Sequence, residues 1–249
     1  MRRIQRLSAP PCLESANPAA VQNKLDWYTD LKDPNGRIHP RWNTVDRDEE
    51  GVSSVRRRLL EMSSYQCAYC GRSITSSEME VDHFLPKGQF EYLAYCWENL
   101  LPACSHCNQR LKGAYCPPSL RATKLIDPDY ATQVQGGESF EQARHLGQVA
   151  ASDRLIEPTY EDPELHLEFN PEFFSYKPKT PVGIVTNRRF FARREVAEKW
   201  QKLSTSIRDL VELGMSSVAI DHFIEILGFR YVCGRFLDHW RREKAEGRI

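Results

Sequence analysis

Along residues 1–53 the apolar positions follow neither a helical nor a strand period, and Pro10, Pro11, Pro18, Pro34 and Pro40 interrupt any regular element. This stretch reads as an extended N-terminal arm, with Trp27, Tyr28 and Trp42 as aromatic anchors for docking on a surface. From Ser54 to Met62 the pattern changes. Val55, Leu59 and Met62 fall at i, i+4 and i+7, which predicts a helix. Two short strands are expected next, near Cys67–Arg72 and over Met79–Phe84. A helix is predicted over Ser105–Lys112, with Gly113 as its stop and Pro117 and Pro118 preventing resumption. Residues 121–185 carry many Pro and Gly residues and read as an irregular connector. From Thr186 the period becomes helical. Val196, Trp200, Leu203, Ile207 and Leu210 form one stripe, ended by Gly214. A second begins near Ser217 with Ile220, Phe223, Ile224 and Leu227, breaks near Gly228, and resumes through Phe236, Leu237 and Trp240. These stripes are core-packing faces, and no internal repeat is present.

Composition narrows the class. With 249 residues, 41% apolar and 27% charged, the chain is neither disordered nor fibrous. Its 34 Lys plus Arg cancel 34 Asp plus Glu, so no uniformly basic surface exists and any polyanion site must be local. No run reaches the roughly 18–20 apolar residues of a membrane span. Met1-Arg2-Arg3-Ile4-Gln5-Arg6 lacks the apolar region of a secretory signal, so a reducing cytoplasm is expected, where cysteines stay free of disulfides. Charge is uneven locally. Between Asp153 and Glu172, seven acids face only Arg154, a stretch that would repel nucleic acid and instead meet a basic partner or cover a site. Arg56, Arg57 and Arg58, and Arg188, Arg189, Arg193 and Arg194, are each either solvated surface or phosphate contacts.

Four of the eight cysteines stand in two C-x2-C pairs, Cys67–Cys70 and Cys104–Cys107, separated by residues 71–103. A tight turn lets both thiolates of a pair approach one ion at about 2.3 Å, and two turns complete a tetrahedron. The reading is a structural Zn2+, since four thiolates leave no position for substrate. No βαβ pattern accompanies either pair, which argues against a redox dithiol. Cys12, Cys96, Cys116 and Cys233 read as small apolar residues. His106, inside the second pair, reads as a solvent-facing turn residue.

Between the pairs lies Glu80-Val81-Asp82-His83-Phe84-Leu85-Pro86-Lys87. A carboxylate can hold a hard cation while a neighbouring imidazole accepts a proton from water. Strand alternation sends neighbours to opposite faces, so the two cooperate only if the strand ends or bends there. Asn108 opens the predicted helix and offers an amide oxygen to the same cation, provided the zinc knuckle packs that helix on the strand. Lys112, four residues on, shares Asn108's face and could meet a phosphate. Asn99 is expected to hydrogen-bond the backbone of the loop between the strands.

The order Cys67-Ala-Tyr-Cys70-Gly71, Val81-Asp82-His83-Phe84-Leu85-Pro86-Lys87, Trp97-Glu98-Asn99-Leu100-Leu101-Pro102-Ala103-Cys104 and Cys107-Asn108 resembles the HNH (ββα-metal) endonucleases. The resemblance implies an α+β fold. A small ββα-metal HNH core (54–120) with a four-cysteine zinc site would lie between the arm (1–53), the acidic connector (121–185) and a C-terminal helical region (186–249). It also implies His83 as general base, Asn99 as the family's middle asparagine, Asn108 at the final His/Asn position, and Asp82 as the metal-binding acid. Catalytic Mg2+ or Mn2+ would accompany the structural zinc. Relatives commonly place a lysine three residues after the final Asn, whereas Lys112 is four after. Met1-Arg2-Arg3-Ile4, Leu155-Ile156-Glu157-Pro158 and Asp162-Pro163-Glu164-Leu165-His166-Leu167-Glu168-Phe169 look like the PtuB-type HNH proteins of Septu anti-phage systems and related retron-linked effectors. That likeness implies a DNA-cutting defence effector with an ABC/SMC-like ATPase partner. Two alternatives stay open: a non-catalytic zinc adapter for nucleic acid or protein, and a standalone restriction-type HNH nuclease.

Overall fold

The computed structural model describes residues 1–14, 26–27, 32–36, 38, 40, 52–121 and 149–249. Pro18, Tyr28 and Trp42 of the predicted arm, and residues 122–148 of the predicted connector, lie outside the described residues. Within the arm, Trp27 packs on Tyr95, ring centroids 5.2 Å apart, while Met1 and Ile4 are buried.

Helix α1 (Ser54–Met62) forms where the period places it. The Ser53 hydroxyl caps it by accepting from the Arg56 N–H, and Val55, Leu59, Leu60 and Met62 turn inward. Two of the three α1 arginines brace the protein: Arg56 Nη2 donates to the carbonyls of Ser76 (2.7 Å) and Met79 (2.6 Å), and Arg58 Nη2 to the Ser8 hydroxyl (2.8 Å). Strands β1 (Met79–His83) and β2 (Leu100–Cys104) pair antiparallel, with Met79 opposite Cys104 and His83 opposite Leu100. Helix α2 (His106–Lys112) follows, so the chain forms β1, loop, β2, helix. It is wound wider than an α-helix: the Gly113 N–H reaches back five residues to the Asn108 carbonyl at 2.7 Å. A short α3 (Pro118–Arg121) comes next.

Two sequence expectations change here. Cys67–Arg72 is no strand. The Cys67 N–H bonds the Arg72 carbonyl, and Gly71, at φ +73°, turns the chain back on itself, leaving only a Gln66–Ser73 bridge. Nor is the connector irregular from Pro163 on. Strands β3 (Leu167–Asn170) and β4 (Ser175–Pro178) form a hairpin that turns Leu167, Phe169 and Tyr176 inward and Glu168 and Lys177 outward. Helix α4 (Pro181–Phe190) starts five residues before the predicted Thr186, because the Thr180 hydroxyl caps it and Pro181 suits its first turn. It passes so close to the chain entering β3 that a Cβ on Gly183 would lie 2.1 Å from the His166 carbonyl oxygen.

Helices α5 (Arg194–Glu212), α6 (Ser217–Leu227) and α7 (Arg230–Ala245) follow the predicted stripes, and α5 packs along α7. Trp200 of α5 meets Phe169, Tyr176 and Phe191 at centroid distances of 5.4, 5.5 and 5.8 Å, which locks the hairpin to the helices. Tyr69, inside the first cysteine pair, stacks on Phe190 of α4 at 4.5 Å and joins the two halves. The acidic stretch is partly internal. Glu157 is fully buried against Arg6, and Glu161 pairs with Arg154 and His166. Among the described residues no helix is long and apolar enough to cross a membrane.

Candidate active site and zinc centre

The Sγ atoms of Cys67, Cys70, Cys104 and Cys107 all lie within 4.8 Å of one another. The first pair is presented by the Gly71 turn, the second by the junction of β2 and α2. A tetrahedral Zn2+ with bonds of about 2.3 Å requires sulfur–sulfur edges of about 3.8 Å, and Cys70 and Cys104 are 3.9 Å apart. Donor set and spacing therefore fit a closed structural zinc site. Cys12, Cys96, Cys116 and Cys233 are buried elsewhere, outside any disulfide, and His106 is exposed.

Bracing this junction lays α2 across β1. Glu80 and Asp82, two apart on the strand, turn toward α2. Asn108 Nδ2 donates to Glu80 Oε2 at 2.9 Å, and Gln109 Nε2 to Glu80 Oε1 at 2.5 Å. Asp82, 3% exposed, accepts the Tyr69 hydroxyl and, at 2.9 Å, the Lys112 ammonium. Burial and the Asp82 charge push the Tyr69 hydroxyl pKa well above its ordinary value, so Tyr69 is a donor throughout the neutral range. Lys112 is 1% exposed and also donates to the His83 carbonyl at 2.7 Å. Its ammonium is engaged inside the protein, which replaces the phosphate contact expected of it from its helix face. The wide turn of α2 explains how a lysine four residues after Asn108 still reaches the strand, since such a turn absorbs one residue more than an α turn.

Asp82 and His83 leave the strand in different directions, as alternation requires: Asp82 toward α2, His83 toward the loop between the strands. There the His83 Nε2–H donates to the Ala94 carbonyl at 2.9 Å. A carbonyl only accepts, so this bond fixes the tautomer and puts the ring lone pair on Nδ1. Burial lowers the His83 pKa to about 3, with Lys87 and Lys112 adding repulsion and the Ala94 bond opposing it, so the imidazole is neutral near pH 7. Asn99 sits in the same loop, fully buried. Its Oδ1 accepts from the Leu85 N–H (2.8 Å), and its Nδ2 donates to the carbonyls of Leu85 (3.0 Å) and Leu93 (3.2 Å).

The structure thus brings Asp82, Asn108 and Lys112 onto one strand–helix seam and places His83 and Asn99 on the adjoining loop side. The sequence reading missed Glu80, Tyr69 and the Ala94 carbonyl. Strand alternation pointed to Glu80 two residues before Asp82. Tyr69 and a backbone carbonyl carry no such signal. As a cation site, the seam offers only hard oxygen donors, the Glu80 and Asp82 carboxylates and the Asn108 amide. A carboxylate has about four lone-pair directions, so Asp82 keeps acceptor capacity beside its two partners.

Comparison with known proteins agrees with this geometry. Residues 67–113 match the model of the HNH endonuclease family. Septu protein PtuB of Bacillus thuringiensis is 43% identical over 124 residues, covering 43% of this chain and 46% of the relative. Septu protein PtuB of Bacillus mycoides (strain KBAB4) is 28% identical over 171 residues, 62% of this chain and 52% of the relative. CRISPR-associated endonuclease Cas9 of Corynebacterium diphtheriae is 42% identical over 55 residues, 22% of this chain and 5% of that protein. The chain spans about half the length of the PtuB relatives it matches, and no solved structure gives a significant match. With the cysteine clamp, the β1–β2–α2 order and the matched residues in agreement, the segment 67–113 is an HNH endonuclease domain, carried by a chain that resembles Septu protein PtuB.

Proposed function

We propose that this chain is a metal-dependent HNH nuclease that hydrolyses phosphodiester bonds, of DNA in preference to RNA, as the effector of an anti-phage system with an ATPase partner. The observation that carries the reading is the His83 imidazole: neutral, buried, and oriented by the Ala94 carbonyl so that Nδ1 is its basic nitrogen. In this reading Nδ1 takes the proton of the attacking water, and the Ala94 carbonyl steadies the imidazolium that forms. Asn99 keeps the loop, and so the Ala94 carbonyl, in place. Asp82 and Asn108, with Glu80 beside them, would hold Mg2+ or Mn2+, which when bound supplies charge stabilisation at the phosphorus centre and the departing 3′ oxygen. The thiolate cluster would hold Zn2+ and take no part in the chemistry. The likeness to PtuB of Septu systems supports the defence role and the ATPase partnership.

The test is purified chain, with and without the ATPase, on plasmid DNA and on RNA, with Mg2+ or Mn2+ against EDTA. Cleavage should require the divalent ion, and His83→Ala should lower it by about 10²–10⁴-fold while zinc content is unchanged. Equal cleavage by His83→Ala would refute the assignment. Cleavage of RNA alone would refute the preference for DNA.

A further inference from the structure

Arg188 and Arg189 close α4, and Arg193 immediately precedes α5. With Tyr115, Ser152 and Asp153 they line a cavity of about 250 Å3. Arg189 lies over the Tyr115 ring, 4.9 Å from its centroid, and its Nη2 donates to the Lys112 carbonyl at 2.8 Å. Lys112 therefore joins this cavity to the HNH strand: its carbonyl is held by Arg189 and its ammonium by Asp82.

The cavity does not neutralise itself. None of the three arginines is ion-paired among the described residues. The Nε–H groups of Arg189 and Arg193 are buried without an acceptor. The one carboxylate among the described lining residues, Asp153, already accepts from the Ser119 N–H at 3.0 Å, and its backbone carbonyl accepts the Tyr115 hydroxyl. Three guanidinium groups converge against one carboxylate, with two donors left over. An anion with several oxygens relieves both conditions, and the planar fork of arginine matches phosphate. An acidic segment of a partner protein would meet the same charge, but attachment to the C-terminal end of α2, the helix that carries Asn108, favours the strand being cut.

We propose that Arg188, Arg189 and Arg193 form a seat for a backbone phosphate of the nucleic-acid strand, next to the HNH centre. The proposal rests on the nuclease reading above. It also accounts for how a chain of balanced net charge engages a polyanion: through a local seat rather than a basic surface.

Binding is measured by fluorescence anisotropy across a salt series, with labelled single-stranded and duplex DNA and a His83→Ala parent so that nothing is cut. Each phosphate contact contributes a slope of about −0.9 for duplex and about −0.7 for single strands in log K against log salt. Arg188→Ala with Arg193→Ala should make the slope shallower by about 1.4–1.8 and weaken low-salt binding at least about tenfold. Arg189 is left intact because it holds the Lys112 carbonyl. If the pair does not fold, Arg188→Glu alone, at an exposed position, should flatten the slope by about 1. Arg241→Ala with Arg242→Ala, the same charge change on α7, should leave it unaltered. An unchanged slope in the Arg188 and Arg193 variants, an equal loss in the α7 control, or no binding by the parent at the lowest salt overturns the seat, as does loss of ATPase capture alone. Wild-type cleavage is run alongside. Cleavage with an unchanged slope overturns the seat and keeps the nuclease, whereas a flattened slope without cleavage does the reverse.

Discussion

Asn99 has no exposed surface, and its amide answers the backbone of Leu85 twice and that of Leu93 once. Removing it leaves the Leu85 N–H and carbonyl buried without partners, each costing about 1–3 kcal/mol if water does not replace the amide, while the Leu93 carbonyl keeps the Cys96 N–H. Asn99→Ala should therefore lower stability by about 2–5 kcal/mol in urea unfolding, and cleavage should fall with it as the loop carrying the Ala94 carbonyl loosens. The Asn99 assignment was legible from its place in the loop between the strands. The His83 environment was not. Unfolded, its imidazole titrates near 6.5; folded, near 3. Between these values the unfolded chain binds the proton and the folded chain does not, so stability is full above about pH 6.5 and declines as pH falls toward 3. His83→Gln should flatten the stability profile over that window, as read from urea midpoints at successive pH values. An unaltered profile would show that His83 is not buried in neutral form.

At the scale of elements, the four-cysteine cluster joins β2 to α2 and sets α2 against β1. Structural zinc contributes about 10–16 kcal/mol to the folding of isolated zinc modules. If a fifth of that operates here, a loss of about 2–3 kcal/mol at about 2–4 °C per kcal/mol lowers the melting temperature by at least about 4 °C. A thiol-competitive chelator should produce that drop, and added Zn2+ should reverse it, followed by differential scanning fluorimetry. The C-x2-C spacing announced this centre because a two-residue knuckle is a local device. The wide winding of α2 was not readable. It follows from Gln109 and Asn108 both reaching Glu80 while Lys112 reaches Asp82, a demand placed on the helix by its neighbour strand. For the same reason Lys112, which its helix face offered as a phosphate contact, becomes a buried counter-charge. The start of α4 differs in kind: Thr180-Pro181 is a capping signal present in the sequence, and apolar periodicity alone overlooked it.

At the scale of the molecule, the N-terminal segment is part of the core. Arg6 donates to the carbonyls of Trp97 (2.7 Å), Leu100 (2.9 Å) and Glu98 (3.0 Å) and pairs with Glu157 at 3.4 Å. Burial is the largest influence on both charges, lowering the Arg6 pKa and raising that of Glu157, and their mutual attraction opposes it in each. Removing one partner leaves the other buried and uncompensated, so Arg6→Ala should cost about 3–5 kcal/mol and loosen the turn that holds Asn99. Arg6→Ala with Glu157→Gln should recover part of that loss in the same unfolding measurement; no recovery would mean that Arg6 acts through the three carbonyls and the Thr159 hydroxyl rather than through Glu157. By itself, the sequence determined what is local: the thiolate pairs, the Asp82-His83 neighbours, the caps and the helical stripes, because spacing of a few residues dictates which side chains share a turn or a face. Only the tertiary structure decided that Arg6 meets Glu157, that Lys112 sits on Asp82, and that three arginines gather beyond the end of α2. Such pairings depend on burial and on distances between elements far apart in the chain, and residue spacing carries no record of either.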